Sequence, residues 1–391
     1  MRQHGDIYER DASGDCPSEI PSGRRRGAFV SRALEALDNR NLDLNVNHPL
    51  LAGRCGSRLA YSCGESAEWG RISRERGFAH AARACWQNEK FDIVQSHERI
   101  AGCDIYRAGD GVHRRWLLQR ARVLPAWRAK LLFASPYHRY VMKAEQEMYH
   151  DPHFKQVICN SVMVKKEVME DFGLSESQIT VIYNGIDSEK FHPLPEAERL
   201  ALRQTHQIPA AAKCLVYVGS GFERKGLAAA IMAVSRNDAW LLVIGQDKAE
   251  KKYRQLAASL GCADRIRFAG MQKQTLPFYQ MSDGLLLPTL YDPFPNVVPE
   301  AMACALPVIT STTCGGAEFV TQGEEGFVCD ALDIAGLADA VSQLPCDHLS
   351  SRMSACARQR VYLIHRQHYH SSLSISTDGS WHNETAYFIY Y

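Results

Sequence analysis

The sequence predicts an α/β protein built from two parallel-sheet domains, and three features carry that expectation. Short segments that are apolar from end to end recur along the chain, several close on glycine, and each is followed by a stretch with helical spacing. A strand buried on both faces has no polar side. Continuous apolar runs alternating with helices therefore specify a parallel sheet covered on each face. With 391 residues the chain has material for two such domains, each with its own core.

The pattern is clearest in the second half. Residues 213–219 (KCLVYVG) form an apolar strand ending in glycine, and 225–234 follow with helical spacing. Residues 239–245 (AWLLVIG) repeat the strand and 249–260 repeat the helix. Then come a strand at 266–268, a short helix at 275–280, a strand at 284–287, a helix at 298–305 and a strand at 307–310. A strand at 326–329 and a helix at 333–344 close the series. This order predicts a Rossmann-like domain over 191–345.

Residues 1–190 are expected to form the other domain. Strands are predicted at 91–95, 156–159 and 180–183, with a helix at 162–172. The stretch 186–194 and the polar 195–212 are expected to carry the chain between the domains. Some stretches depart from the pattern. Residues 1–27 are polar and broken by Gly and Pro, so the amphipathic helix expected at 31–37 has nothing upstream to pack on. Residues 45–74 show neither strand nor helix period, and 346–391 form an atypical tail ending in polar residues and aromatics. Because the pattern stops and restarts abruptly, these stretches are expected to be out-of-frame translations of an ordinary gene. The other two reading frames of the coding DNA test this.

Composition excludes several function classes. Hydrophobic residues make up 46% and charged residues 23%, normal for a globular chain, and a net charge of +1 excludes a molecule-wide polyanion binder. The 13 cysteines are scattered with no CxxC pair, which argues against zinc and redox sites and for small buried hydrophobes. The opening residues lack the apolar core of a signal peptide. The longest apolar runs are strand-sized, far below the ~20 residues of a spanning helix.

In a parallel sheet, ligands bind where strands end and helices begin. Three loops of the second half carry fitting residues. The first is Gly219-Ser220-Gly221-Phe222-Glu223-Arg224-Lys225-Gly226, in which glycines admit a ligand to the backbone and Arg224 and Lys225 can neutralise a diphosphate. The second, Gly245-Gln246-Asp247-Lys248, adds a lysine one strand over. The third, from Tyr291 to Ala301, sets Asp292 in a loop and Glu300 in the first turn of the next helix, eight positions on. A Glu at that position alone is ordinary helix-dipole compensation, worth ~0.3–1 kcal/mol. Together the three loops point to a phosphorylated ligand.

These loops resemble those of the family 4 retaining glycosyltransferases, whose hallmark is a pair of carboxylates eight residues apart. The resemblance implies the GT-B architecture, two facing Rossmann-like domains with a cleft between them. It also implies that Asp292 reaches the donor-sugar hydroxyls and Glu300 the ribose hydroxyls. Gly219, Arg224 and Lys248, with Lys225 as a close alternative, would take the diphosphate, and Asn296, Val297 and Val298 would offer backbone N–H groups. Gly315-Gly316-Ala317-Glu318, Cys159-Asn160-Ser161 and Tyr183-Asn184-Gly185-Ile186-Asp187 are similar to further family elements.

Gln95-Ser96-His97-Glu98-Arg99 and the stretch from Tyr106 to His113 resemble the branch that extends the lipopolysaccharide core. There an acidic residue at the Asp110 position lies near the reacting sugar, so Asp110 and Asp292 are the candidate catalytic carboxylates. His97 fits either an acceptor-side residue or a strand cap, and His113 either an acceptor-side or a structural residue. The resemblance runs from roughly 78 to 344, with a fragment at 28–37. Two departures stand out: Asp292 is one methylene shorter than the usual Glu, and Ala305 replaces a usual Gly at a helix end. The second adds a Cβ where positive φ is expected, at a cost of about 1 kcal/mol.

Residues 112–143 contain eight Arg/Lys and no Asp or Glu, interleaved with Trp116, Leu117, Leu118, Trp127, Leu131, Leu132 and Phe133. The pattern suits either an interfacial segment on anionic lipid or a solvated basic face with core tryptophans. A lipopolysaccharide acceptor favours the first reading, and hence a cytoplasmic enzyme peripheral on the inner membrane face. No nucleic-acid reader motif accompanies the charge.

The reaction implied by the resemblance moves a hexose, glucose foremost, from a UDP-sugar to a lipopolysaccharide-core or similar glycan hydroxyl with retention. No Asp-x-Asp occurs, which argues against a metal-dependent GT-A alternative, and no cofactor is expected beside the UDP-sugar co-substrate. A capsule or exopolysaccharide glycosyltransferase of the same family and a non-catalytic nucleotide-sugar binder are the alternatives. A nicotinamide dehydrogenase would need a Gly-x-Gly-x-x-Gly loop, and the loop at 219–224 has only the first two glycines.

Overall fold

The structure, a computed structural model, describes residues 43–47, 53–55, 59–62, 70–89, 91–345, 351–374 and 385–389. The chain divides into two compact units, Met1–Glu98 with Ser380–Tyr391, and Arg99–Gly379.

In the first unit a parallel ladder runs from Leu59–Ser62 through Asp43–Asn47 and Thr385–Ile389 to Ile93–Ser96. Gly53–Cys55 adds antiparallel to Leu59–Ser62. The helix Arg71–Glu89 buries Phe78, Ala82 and Trp86, which recur every four residues on one face. Among the described residues of 45–74 and of the tail, strands lie at 45–47, 53–55, 59–62 and 385–389 and helix at 71–74 and 352–374, where the sequence shows no period. Strands of three to five residues are too short to display a period, and Asp43–Asn47 and Thr385–Ile389 take hydrogen bonds from partners remote in sequence. The expected polar opening at 1–27 and the helix at 31–37 lie outside the described residues.

The second unit begins with the parallel strands Ile105–Ala108, Gln156–Cys159 and Ile179–Val181. Helices His113–Ala121, Ala126–Ala134 and Pro136–Tyr149 fill the first crossover, and Val162–Phe172 fills the second. Then follows a parallel sheet of six described strands in the spatial order Ile266–Gly270, Trp240–Ile244, Cys214–Val218, Gly284–Leu287, Val308–Ser311, Gly326–Cys329. All five residues of Cys214–Val218 are buried, as an interior strand with helices on both sides must be. The chain enters the sheet at this strand, builds outward in one direction, then returns to its other side at Gly284–Leu287. That reversal leaves the loops after these two strands diverging to opposite faces, which opens a crevice at their carboxyl ends.

Two expectations change here. The polar 195–212 stretch is not merely a linker, because Glu196–Thr205 is a helix. Its Arg199 and Arg203 are buried on Asp283, itself fully buried, with Arg203 Nη2 2.6 Å from Asp283 Oδ2. Arginines that serve a buried carboxylate read as solvent-facing in a one-dimensional pattern. The tail helix Arg352–Ser374 sets Ala357 and Val361 into the core of the six-stranded sheet.

Candidate active site

The loops at the reversal point are 219–226 and 288–296, two of the three singled out in the sequence. Gly219 ends its strand and donates its N–H to the Ile244 carbonyl at 2.8 Å. Gly245, with φ of +137°, follows Ile244, and a Cβ there would overlap the Gly219 carbonyl. Only glycine lets these strand ends approach so closely. Asp247 then ties the first two loops together: Oδ2 accepts from Phe222 N–H at 2.9 Å and Oδ1 from Ala249 N–H at 2.8 Å. Lys248, next to it, is exposed and has no hydrogen bond or ion pair with any described side chain.

Arg224, Lys225 and Asp292 come together. Lys225 is buried and its Nζ forms an ion pair with Asp292 Oδ2. Arg224 Nη1 lies 3.4 Å from the same oxygen and donates to the Tyr291 carbonyl at 3.2 Å, while its side chain stays partly exposed. Asp292 is 5% exposed, and its N–H and C=O bond to Thr313 and Gly315. A carboxylate this deep in the protein needs opposite charge beside it, and two cations face it.

Glu300 lies in the first turn of the helix Val297–Ala303 and accepts from the Tyr279 hydroxyl at 2.7 Å. Asn296 precedes that helix, and its Oδ1 accepts from Asn184 Nδ2 at 2.7 Å. Asn184 in turn accepts from Arg107 Nη2 at 2.7 Å, and burial pulls the Arg107 guanidinium down to about 10. Val297 and Val298 have fully buried side chains, so only their backbone can meet a ligand. The Val298 N–H already donates to the Pro295 carbonyl at 3.1 Å.

Asp110 sits in the loop after Ile105–Ala108, its side chain 45% exposed, with Oδ2 3.9 Å from Arg99 Nη1. Arg99 is held from behind by Glu145, whose Oε1 accepts from Arg99 Nε at 2.8 Å and from His113 N–H at 3.0 Å. Burial raises the Glu145 carboxyl above its ordinary range, against the pull of Arg99. The His113 ring pairs with His138, Nε2 to Nδ1 at 3.0 Å, a structural contact within the helical crossover. His97 belongs to the first unit, where its Nε2 lies 3.0 Å from Gln95 Nε2.

Sequence reasoning gave no role to Tyr291, Glu145, Glu167 or Arg107. The Tyr291 hydroxyl donates to Glu167 Oε2 at 2.6 Å and accepts from Val112 N–H at 3.0 Å. Burial pushes the Glu167 carboxyl up to about 7. Glu318, also pushed up to about 7 by burial, accepts from Val162 N–H at 3.1 Å. One signal was readable beforehand: Glu145 falls in the buried stripe Val141, Glu145, Met148, where a charge implies a partner. Among the described residues no group of three His, Cys, Asp or Glu side chains is placed to hold a metal ion.

In the basic 112–143 segment, Arg115 pairs with Glu170 and Asp171, Arg120 with Glu223, and Arg122 with Asp330. Part of its charge is therefore neutralised within the fold. Leu117 is core, whereas Ala126–Ala134 buries none of its residues and exposes Trp127 and Leu131, each 60% accessible. No helix of the described residues is long and apolar enough to cross a membrane.

The parallel-sheet α/β architecture matches that of the GT-B glycosyltransferases. Residues 198–360 match the glycosyl transferases group 1 domain and residues 69–190 the glycosyltransferase family 4 domain, and the chain belongs to this glycosyltransferase family. It is 30% identical over 193 residues to the lipopolysaccharide core biosynthesis glycosyltransferase LpsE of Rhizobium meliloti (strain 1021), covering 49% of this chain and 54% of that protein. The chain spans about half the length of the curated relatives it matches first. Its fold is similar to that of WaaG, a glycosyltransferase involved in lipopolysaccharide biosynthesis, with a TM-score of 0.72 at 20% identity over 90% of this chain and 96% of that one. Anabaena HepE, solved in complex with UDP-glucose, gives a TM-score of 0.57 at 18% identity over 85% of this chain and 99% of that one.

Proposed function

We propose that this protein transfers a hexose from a UDP-sugar, glucose foremost, to a hydroxyl of a lipopolysaccharide-core or similar glycan, with retention at the anomeric carbon. The observation that carries the reading is the convergence of Arg224, Lys225 and Asp292 where the sheet reverses, with Lys248 exposed on the loop that Asp247 ties to Phe222. Loss of the nucleotide diphosphate develops negative charge. Fixed cations at a strand-end rim stabilise that charge without a metal, and losing one such group costs about 10²–10³ in kcat. Arg224 and Lys248 take this part, and no cofactor is invoked. Lys225 is committed to Asp292, so its part is to hold that carboxylate for the sugar hydroxyls. Glu300, oriented by the Tyr279 hydroxyl, receives the ribose. Asp110, exposed and backed by Arg99, serves the reacting sugar.

The acceptor reading draws on the likeness to LpsE, and the inner face of the cytoplasmic membrane is the corresponding location. Exposed Trp127 and Leu131 beside Arg128 and Lys130 supply the surface for anionic lipid. The test is hydrolysis or transfer from UDP-glucose and related UDP-sugars by the full chain. Turnover is expected, and Lys248→Ala and Glu300→Ala should each reduce it by at least about tenfold. Equal turnover in the substituted chains, or none in the parent with any UDP-sugar, defeats the reading.

A further inference from the structure

The proposed chemistry places Asp110 and Asp292 on different loops, and something must fix one loop against the other. Both belong to the second unit, and one side chain spans them. Tyr291 is the neighbour of Asp292, yet its phenol reaches the backbone two residues beyond Asp110. There it accepts the Val112 N–H at 3.0 Å and donates to Glu167 Oε2 at 2.6 Å. The ring is 2% exposed, so neither hydrogen bond can be replaced by solvent while the contact holds.

A second observation points the same way. Gly111, between Asp110 and Val112, has φ of +68°, and a Cβ there would overlap the Tyr291 hydroxyl and crowd Pro293. The glycine thus serves two ends: it makes the turn that presents Asp110, and it leaves the opening that the phenol fills. Val112 itself is buried and precedes the helix His113–Ala121, whose first N–H is taken by Glu145. The start of that helix is consequently pinned by Tyr291 on one residue and by Glu145 on the next.

We propose that Tyr291 is a positioning residue for sugar transfer, holding the Asp110 loop in register with the Asp292 loop through Val112 and Glu167. The inference rests on the transferase reading given above. Small displacements of reacting groups cost rate steeply, since near-attack geometry requires separations of about 3–3.5 Å. Replacing the phenol by a phenyl ring keeps the packing volume but strands a buried N–H and a partly buried carboxylate, so the Asp110 loop is released.

The test compares the full chain with Tyr291→Phe, Glu167→Gln and Glu167→Leu. Backbone hydrogen exchange over 109–117, measured without substrate, should quicken in Tyr291→Phe and Glu167→Leu. With a UDP-sugar, kcat in Tyr291→Phe should fall about tenfold or more while KM for the donor changes little, because Arg224 bonds to residue 291 at its backbone carbonyl, which the substitution keeps, and Lys248 lies on another loop. Glu167→Gln retains an acceptor oxygen and should lose less kcat than Glu167→Leu. A purely structural tyrosine would lower the melting temperature and leave kcat within twofold of the parent, and that result overturns the assignment. So does unchanged exchange over 109–117. No turnover by the unsubstituted chain overturns the transferase reading and this role together; normal turnover by Tyr291→Phe overturns the role of Tyr291 alone.

Discussion

Ala305 follows the helix Val297–Ala303 with φ of +61°, one of two non-glycine residues in the left-handed region among the described residues. The conformation is imposed: the Ala305 N–H closes on the Met302 carbonyl and Leu306 N–H on the Ala301 carbonyl, so the helix ends in a left-handed turn. A Cβ there meets the following carbonyl at a cost of roughly 1 kcal/mol. Ala305→Gly should therefore raise stability by up to about 1 kcal/mol, read as an increase in the urea midpoint at constant slope. An unchanged or lowered midpoint would show that the strain is absent or that the lost methyl, which is 6% exposed, packs too well to spare. The substitution was identified from the sequence as a departure at a helix end, and the backbone angle supplies its reason.

At the scale of an element, the helix Glu196–Thr205 shows how much a charged stretch can conceal. It sits in sequence where a connector was expected, and four of its ten residues are Glu or Arg. Yet Arg203 donates to the carbonyls of Met281, Ala210 and Ala212 as well as to Asp283, and Asp283 Oδ2 also accepts from Cys214 N–H at 2.7 Å. One carboxylate thereby joins the helix to the first strand of the six-stranded sheet. Removing one member of a buried ion cluster leaves the others uncompensated, at about 3–5 kcal/mol. Asp283→Asn is expected to destabilise by that order in urea or thermal unfolding, whereas Glu196→Gln, whose own side chain is half exposed although its partner Arg199 is buried, should cost under about 1 kcal/mol. Comparable effects of the two would show that the cluster is not what anchors the helix.

For the whole molecule, the question is what the 112–143 segment faces. Its Arg115, Arg120 and Arg122 are occupied by acidic residues of the same unit, so its charge as counted from the sequence overstates what a partner would meet. What remains outward includes Arg114 and Arg139 and the helix Ala126–Ala134, with Trp127, Leu131, Arg128 and Lys130. Basic residues near an anionic bilayer contribute about 1 kcal/mol each, and apolar side chains add burial in the interface. The full chain should float with anionic vesicles at low salt, release as salt rises, and bind more weakly as the Trp127→Ala, Leu131→Ala double variant. Salt-insensitive or absent flotation would leave that helix for some other contact.

The sequence by itself determined the parallel-sheet class, the order of the six strands from Cys214 to Cys329, and the three loops that bear Arg224, Lys248 and Asp292. It could do so because fully apolar strands and strand-end glycines are local signals, set by burial on both faces and by close backbone approach. Only the tertiary structure decided that Lys225 is spent on Asp292, that Glu145 braces Arg99, and that Tyr291 reaches Val112 across 179 positions of chain. It also decided that residues at both ends of the chain form strands of one ladder, Thr385–Ile389 lying between Asp43–Asn47 and Ile93–Ser96. Those facts depend on partners far away in sequence, and a buried polar group takes its meaning from the partner that desolvation forces it to find.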